Sequence, residues 1–134
     1  MDYLKITITI LLFTNLCLSQ NNQTKMELER KIIGTWYLEG DSISKFVFDD
    51  NSKVKRFHGD KLARISHYAI VKTCGKEKLS ENEFFLKEIY QNGAEACFYI
   101  ESLDYDGNGI FSMMTKSQGK VVVLKKQNQE LKEQ

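Results

Sequence analysis

The sequence predicts an all-β protein: an eight-stranded antiparallel up-and-down barrel preceded by a short N-terminal helical turn. Three observations predict it. Apolar side chains recur with a period of two, not 3.6, along most of the chain. Eight such runs are each ended by Gly, Asn, Asp or Ser turn signals or by the polar tail. The connections between them are short, which favours a meander in which neighbours run antiparallel. A sheet of eight strands tends to curl, and closing it removes exposed edges. A two-sheet sandwich fits the same pattern, and periodicity alone does not separate the two.

The elements follow in order. Residues 6–18 are mostly apolar, with Lys5 before them and Ser19 after. A polar stretch, Gln20, Asn21, Asn22 and Gln23, comes next. This reads as a signal peptide, residues 1–19, cleaved near Ser19. Asp2 offsets the charge of Lys5, which weakens the start of the pattern. The apolar run is too short for a bilayer, which needs about 20 helical residues. The alternative is a lipid anchor at Cys17, although Leu16 stands where such a signal needs a small residue. Cleavage points to a secreted or periplasmic protein with no stable membrane anchor.

Residues 20–25 form a flexible polar lead containing the glycosylation sequon Asn22-Gln23-Thr24. Residues 26–31 make one helical turn, with Leu28 and Ile32 a turn apart. Strands are expected at 32–39, 44–48, 53–57, 64–73, 83–90, 96–103, 110–115 and 120–126. Their breaks carry Gly40-Asp41, Asp49-Asp50-Asn51, His58-Gly59-Asp60, Gly75, Gln91-Asn92-Gly93, Asp104 to Gly109, and Lys116 to Gly119. The domain spans 26–126, and residues 127–134 are a polar tail.

Alternation assigns faces. Phe46 and Phe48 share one side of the second strand. Phe98 and Ile100 share one side of the sixth, with Tyr99 and Glu101 on the other. The last strand is apolar on both sides, with Val121 and Val123 opposing Val122 and Leu124. Part of it is therefore expected to be covered, by the N-terminal turn for example.

Composition narrows the function. The chain has 134 residues, 19 Lys plus Arg and 18 Asp plus Glu, for a net charge of +1. That balance offers no polycationic surface for nucleic acid and no acidic excess for a basic partner. After cleavage Cys74 and Cys97 remain, an even number in an oxidising compartment. A disulfide between them would contribute about 3 kcal/mol in the loop-entropy view. In a plain meander these two cysteines sit at opposite rims, so the bridge requires residues 75–82 to double back, or strand limits other than these. Two buried thiols are the alternative.

Chemical motifs are sparse. His58 falls in a turn and His67 in a strand, without the converging ligands a metal needs. Asp104-Tyr105-Asp106-Gly107-Asn108-Gly109 resembles half a calcium loop, but Thr115 stands where a bidentate Glu belongs. The same residues suit a tight turn. No nucleophile elbow or phosphate-cradling loop occurs. No cofactor, metal or catalytic residue is expected, and an enzyme would require a convergent set around His67. Lys53, Lys55, Arg56, Lys61 and Arg64 crowd the third hairpin, either as a solvated edge or as a patch for an anionic group.

The first strand carries Ile32-Ile33-Gly34-Thr35-Trp36-Tyr37. A Gly-x-Trp triplet there, after a helical turn and before seven more strands, resembles the lipocalin signature. The chain is similar to small secreted bacterial lipocalin-like domains over residues 26–126. The resemblance implies that Trp36 closes one end of the barrel beneath a basic side chain from the last strand, Lys125 or Lys126. Gly34 would permit the close approach. The chain is shorter than typical lipocalins, so its strands and rim loops are short. An eight-stranded barrel is just wide enough to be filled by side chains or to hold one small ligand.

The candidate apolar lining is Tyr37, Phe46, Phe48, Tyr68, Ile70, Phe85, Phe98, Ile100, Phe111 and Met113, with Met113 and Met114 supplying an adaptable wall. The expected function is a non-enzymatic, monomeric carrier of a small apolar ligand, its polar end oriented by Tyr hydroxyls or a rim base. The alternative is a protein-interaction module or inhibitor with a filled barrel. A connected void of about 300 Å³ or more separates them.

Overall fold

A computed structural model describes residues 23–127. The signal peptide, the Cys17 alternative and the tail beyond residue 127 lie outside the described residues. Helix α1 is Lys25–Lys31. The strands are β1 Gly34–Leu38, β2 Asp41–Phe48, β3 Lys53–His58, β4 Lys61–Val71, β5 Thr73–Cys74, β6 Glu77–Lys78, β7 Phe85–Ile89, β8 Glu95–Leu103, β9 Ile110–Thr115 and β10 Val121–Lys126. A 3₁₀ turn at Tyr105–Gly107 joins β8 to β9.

Eight strands close into one antiparallel barrel, in the order β1-β10-β9-β8-β7-β4-β3-β2. Closure comes from pairing the first strand with the last, Trp36 opposite Lys126 and Leu38 opposite Leu124. This removes the sandwich alternative. The extra element is the β5–β6 hairpin, a separate two-stranded ribbon. The expected fourth strand, 64–73, runs into its first residue, Thr73. Instead β4 ends at Val71 and the chain reverses, with the Leu79 amide donating to the Lys72 carbonyl.

One end of the barrel is packed solid. Trp36, Leu103, Phe111 and Leu124 are fully buried there, with Phe48 and Ile70 beside them. Trp36 meets Phe111 edge-on at 5.7 Å between ring centres, a favoured aromatic geometry. Its indole N–H donates to the Ile32 carbonyl at 2.8 Å, so the buried polar group is satisfied. Leu28 of α1 and Ile32 just after it join this core. The helix is short, and packing plus capping rather than propensity holds it.

The described part of the lead, residues 23–25, makes hydrogen bonds and enters α1 at Lys25. Thr24 caps α1, accepting from the Glu27 amide at 3.2 Å. Gln23 exchanges two hydrogen bonds with the Leu103 backbone, donating through Nε2 at 2.8 Å and accepting through Oε1 at 3.3 Å. The signal was present in the sequence as Thr24-x-x-Glu27, a capping-box spacing. The apolar outer row of β10 is not covered as expected: Val121 is 52% exposed. Helix α1 instead closes the packed end, where its neighbour in the sheet is β4.

Gly34 has φ +136°, a value that L side chains rarely adopt. A Cβ there would stand 3.4 Å from Lys126 Cε. That is ordinary van der Waals contact with a flexible side chain, so the backbone conformation, and not the close approach the resemblance implied, calls for glycine at this position.

Candidate functional site

The open half of the barrel holds a cavity of about 610 Å³. Its position follows from strand parity. Pairing Phe46 with Arg56, Arg56 with Arg64, and Tyr68 with Glu88 places these residues on one inward face across four strands. Leu38, Phe46, Phe98, Met113 and Val122 make the apolar wall, and Phe48, Val54 and Tyr68 lie toward its floor. At the floor aromatic packing takes over from open space: Phe48 and Tyr68 meet edge-on at 5.1 Å.

The structure divides the ten lining candidates. Phe46, Phe48, Tyr68, Phe98 and Met113 line the cavity. Ile70, Ile100 and Phe111 belong to the packed core below it. Tyr37 and Phe85 do neither. Tyr37 pairs with Lys45 and Lys125 on the outer face of β1. Phe85 pairs with Tyr99 on the outer face of the β7–β8 ribbon, and its inward neighbours are Phe84 and Leu86. In a run such as Phe84-Phe85-Leu86 every position is apolar, so alternation gives no parity. Met114 likewise faces outward, opposite Val121, leaving Met113 alone on the wall.

Phe85 is nevertheless only 2% exposed. The β5–β6 hairpin explains this, because it doubles back toward β8 and β9. Cys74 and Cys97 are joined, with Cα atoms 6.5 Å apart. Lys116 fastens the hairpin further, donating to the Cys74 carbonyl at 2.9 Å and pairing with Glu77 at 3.3 Å. Its ammonium stands 5.9 Å from the Phe85 ring centre. The reversal the bridge requires thus begins at Lys72, earlier than residue 75.

The mouth of the cavity is polar. The basic cluster of the third hairpin splits by parity: Arg56 and Arg64 turn into the mouth, while Lys53, Lys55 and Lys61 are exposed elsewhere on the hairpin. Arg56 and Arg64 face each other directly across β3 and β4. Arg64 stands 3.8 Å from Glu88, which also accepts a hydrogen bond from Ser66. Arg64 stacks over Tyr90 at 4.3 Å, and Arg56 over Phe46 at 5.1 Å. Burial pushes the Tyr90 phenol up, with the Glu88 charge adding to it and Arg64 opposing. Tyr90 is therefore a neutral hydrogen-bond donor at physiological pH.

The wall is thin at one place. Pairing between β4 and β7 stops at His67 opposite Ile89, so Lys61–Ser66 extend beyond their neighbour. Arg64 and Tyr90 stand between the cavity and an outer groove beside Leu62 and Ile65. Their stack is what closes the barrel there.

At the packed end the last strand supplies the base. Lys126 lies over Trp36, with Nζ 5.5 Å from the ring centre, and reaches Asp104 at 4.0 Å. Lys125 points outward to Glu39 at 3.7 Å. The Asp104 loop is a structural turn. Asp104 accepts from the Gly109 amide at 2.7 Å, Asn108 accepts from the Ile110 amide at 2.9 Å, and Asp104 and Asp106 have positive φ. Both histidines are exposed, His67 on the outer face of β4 opposite Lys53 and Ile89. Among the described residues no group of three or more His, Cys, Asp or Glu side chains is placed to hold a metal.

The closed eight-stranded antiparallel barrel is consistent with a lipocalin-like fold. Comparison with protein-family models, curated proteins and solved structures gave no match to this chain.

Proposed function

We propose that this chain is a secreted, lipocalin-like carrier that holds one small molecule with an apolar body inside its barrel, and that it is a monomer without enzymatic activity. The observation that carries the reading is the cavity of about 610 Å³, lined on its walls by Leu38, Phe46, Phe98, Met113 and Val122. Ligand sites of roughly 300–1,000 Å³ with apolar walls and few polar groups are the usual form of small-molecule pockets. A filled barrel acting only through its loops would have no reason to keep such a void, since empty apolar volume costs stability. The Cys74–Cys97 bridge supports an extracellular or periplasmic location. The exposed, separate histidines support a binding role over catalysis.

Two measurements test this. Native mass spectrometry of the protein recovered from its secreting host should show a stoichiometric adduct, which denaturing extraction then releases. Titration of the stripped protein with the neutral dye Nile red should show one saturable site. Val122→Trp should abolish that site by filling the cavity while leaving the melting transition intact. Dye binding that survives Val122→Trp, or is absent from the parent protein, would overturn the reading.

A further inference from the structure

Resting on the carrier reading, we propose that the cavity selects a ligand whose head group is a single oxyanion, held at the mouth between Arg56 and Arg64, and that Arg56 determines this preference. Arg56 and Arg64 are direct cross-strand partners on the same face, and both line the cavity. Like charges placed so are destabilising by themselves. Arg64 has compensation in Glu88, at 3.8 Å. Arg56 has none: no carboxylate lies within 4.0 Å of it among the described residues, and its visible partner is the face of Phe46.

The rest of the lining does not cancel this charge. Arg56, Arg64 and Lys120 face two carboxylates, Glu39 and Glu88. Glu39 is drawn outward to Lys125, and Glu88 is engaged by Arg64 and Ser66. One guanidinium with five donors therefore stands free at the boundary between water and an apolar chamber. An anion seated between the two arginines relieves their repulsion and makes charge-assisted hydrogen bonds. Tyr90, stacked on Arg64, adds a neutral donor beside them. A cationic head would meet Arg56 unscreened, and a neutral head would leave it as it is. The apolar body then lies along Phe46, Phe98 and Met113 beneath the head.

The test is displacement of bound Nile red by dodecanoic acid, dodecyl sulfate, dodecanol and dodecylamine at low ionic strength, below their micellar concentrations. Both anions should displace the dye at about tenfold lower concentration than the alcohol, and the amine should be weakest. A sulfate that outcompetes the carboxylate names the head group; equal potency leaves either oxyanion as the natural class. Arg56→Gln should weaken the anions by far more than the alcohol and so close the gap between them. Arg56→Lys should retain part of the preference. Raising salt should weaken the anions alone. Equal displacement by acid and alcohol, or an equal loss for both in Arg56→Gln, overturns the head-group assignment while the carrier reading stands. If dye binds and no amphiphile displaces it, the assignment falls. If dye does not bind, both fall together.

Discussion

Lys126 and Trp36 are cross-strand partners that close the barrel, and the ammonium of one lies 5.5 Å from the ring centre of the other. The relationship links the first strand to the last at the point where the sheet closes. Trp36→Ala should cost about 3–5 kcal/mol, because a fully buried indole is lost from a core that cannot collapse around it. Lys126→Met should cost about 0.5–1 kcal/mol, since a partly exposed cation over an aromatic ring contributes little more. Gly34→Ala should cost about 1–3 kcal/mol through its positive φ. Urea unfolding followed by Trp36 fluorescence, or by circular dichroism for Trp36→Ala, ranks the three.

The Cys74–Cys97 bridge fastens an outer ribbon to a barrel that already closes through β7 and β8. Its removal should therefore loosen the ribbon more than the barrel. Replacing both cysteines by serine should lower stability by about 3 kcal/mol in the loop-entropy view. Hydrogen exchange should speed at residues 72–83 and stay slow in β1, β2 and β10. Uniform loss of protection across all strands would show the ribbon to be part of the barrel's cooperative core.

Tyr68 donates to the Asp49 carbonyl at 2.7 Å, and burial pushes its phenol above the ordinary value, with the Asp49 charge adding to the shift. The folded protein thus holds this proton more tightly than the unfolded chain. Stability from this source is complete below about pH 10 and falls as pH rises through the higher folded value. Tyr90 and Tyr99 are shifted the same way, each mainly by burial. Absorbance titration of phenolate should show late-titrating tyrosines, and Tyr68→Phe should remove one of them and flatten the alkaline loss of stability.

Arg64 and Tyr90 close the wall where β4 outruns β7. Tyr90→Ala should open the cavity sideways. The dissociation rate of Nile red should rise several-fold, since the change removes a barrier more than a contact, while overall stability changes little at this half-exposed position. A changed affinity with an unchanged release rate would place Tyr90 in the binding surface instead.

Much of this architecture was legible in the residues. All eight barrel strands fall within a few residues of the expected runs, because each strand has one face against the core and one against water. Where that contrast vanished, the reading failed. Phe84-Phe85-Leu86 is apolar on both faces because the β5–β6 ribbon covers the outside. Met113-Met114 gives no parity for the same reason of composition, and only register shows which methionine faces in. Tyr37, a lining candidate, follows the inward Trp36 on β1 and so points out.

By itself the sequence determined the all-β class and the places of the eight barrel strands, and its Gly-x-Trp resemblance pointed to the closing tryptophan; closure into a barrel and not a sandwich came from the pairing of first and last strands. Alternation, turn residues and Gly-x-Trp are local, and a chain segment carries them without its partners. The structure alone decided what the barrel contains. Whether side chains fill its centre depends on how eight strands tilt and stagger around it, which no single strand encodes. Register alone decided that Arg56 faces Arg64 and that Lys126, not Lys125, covers Trp36. One residue of slip would turn each of those side chains to the opposite face, and only pairing across strands prevents it.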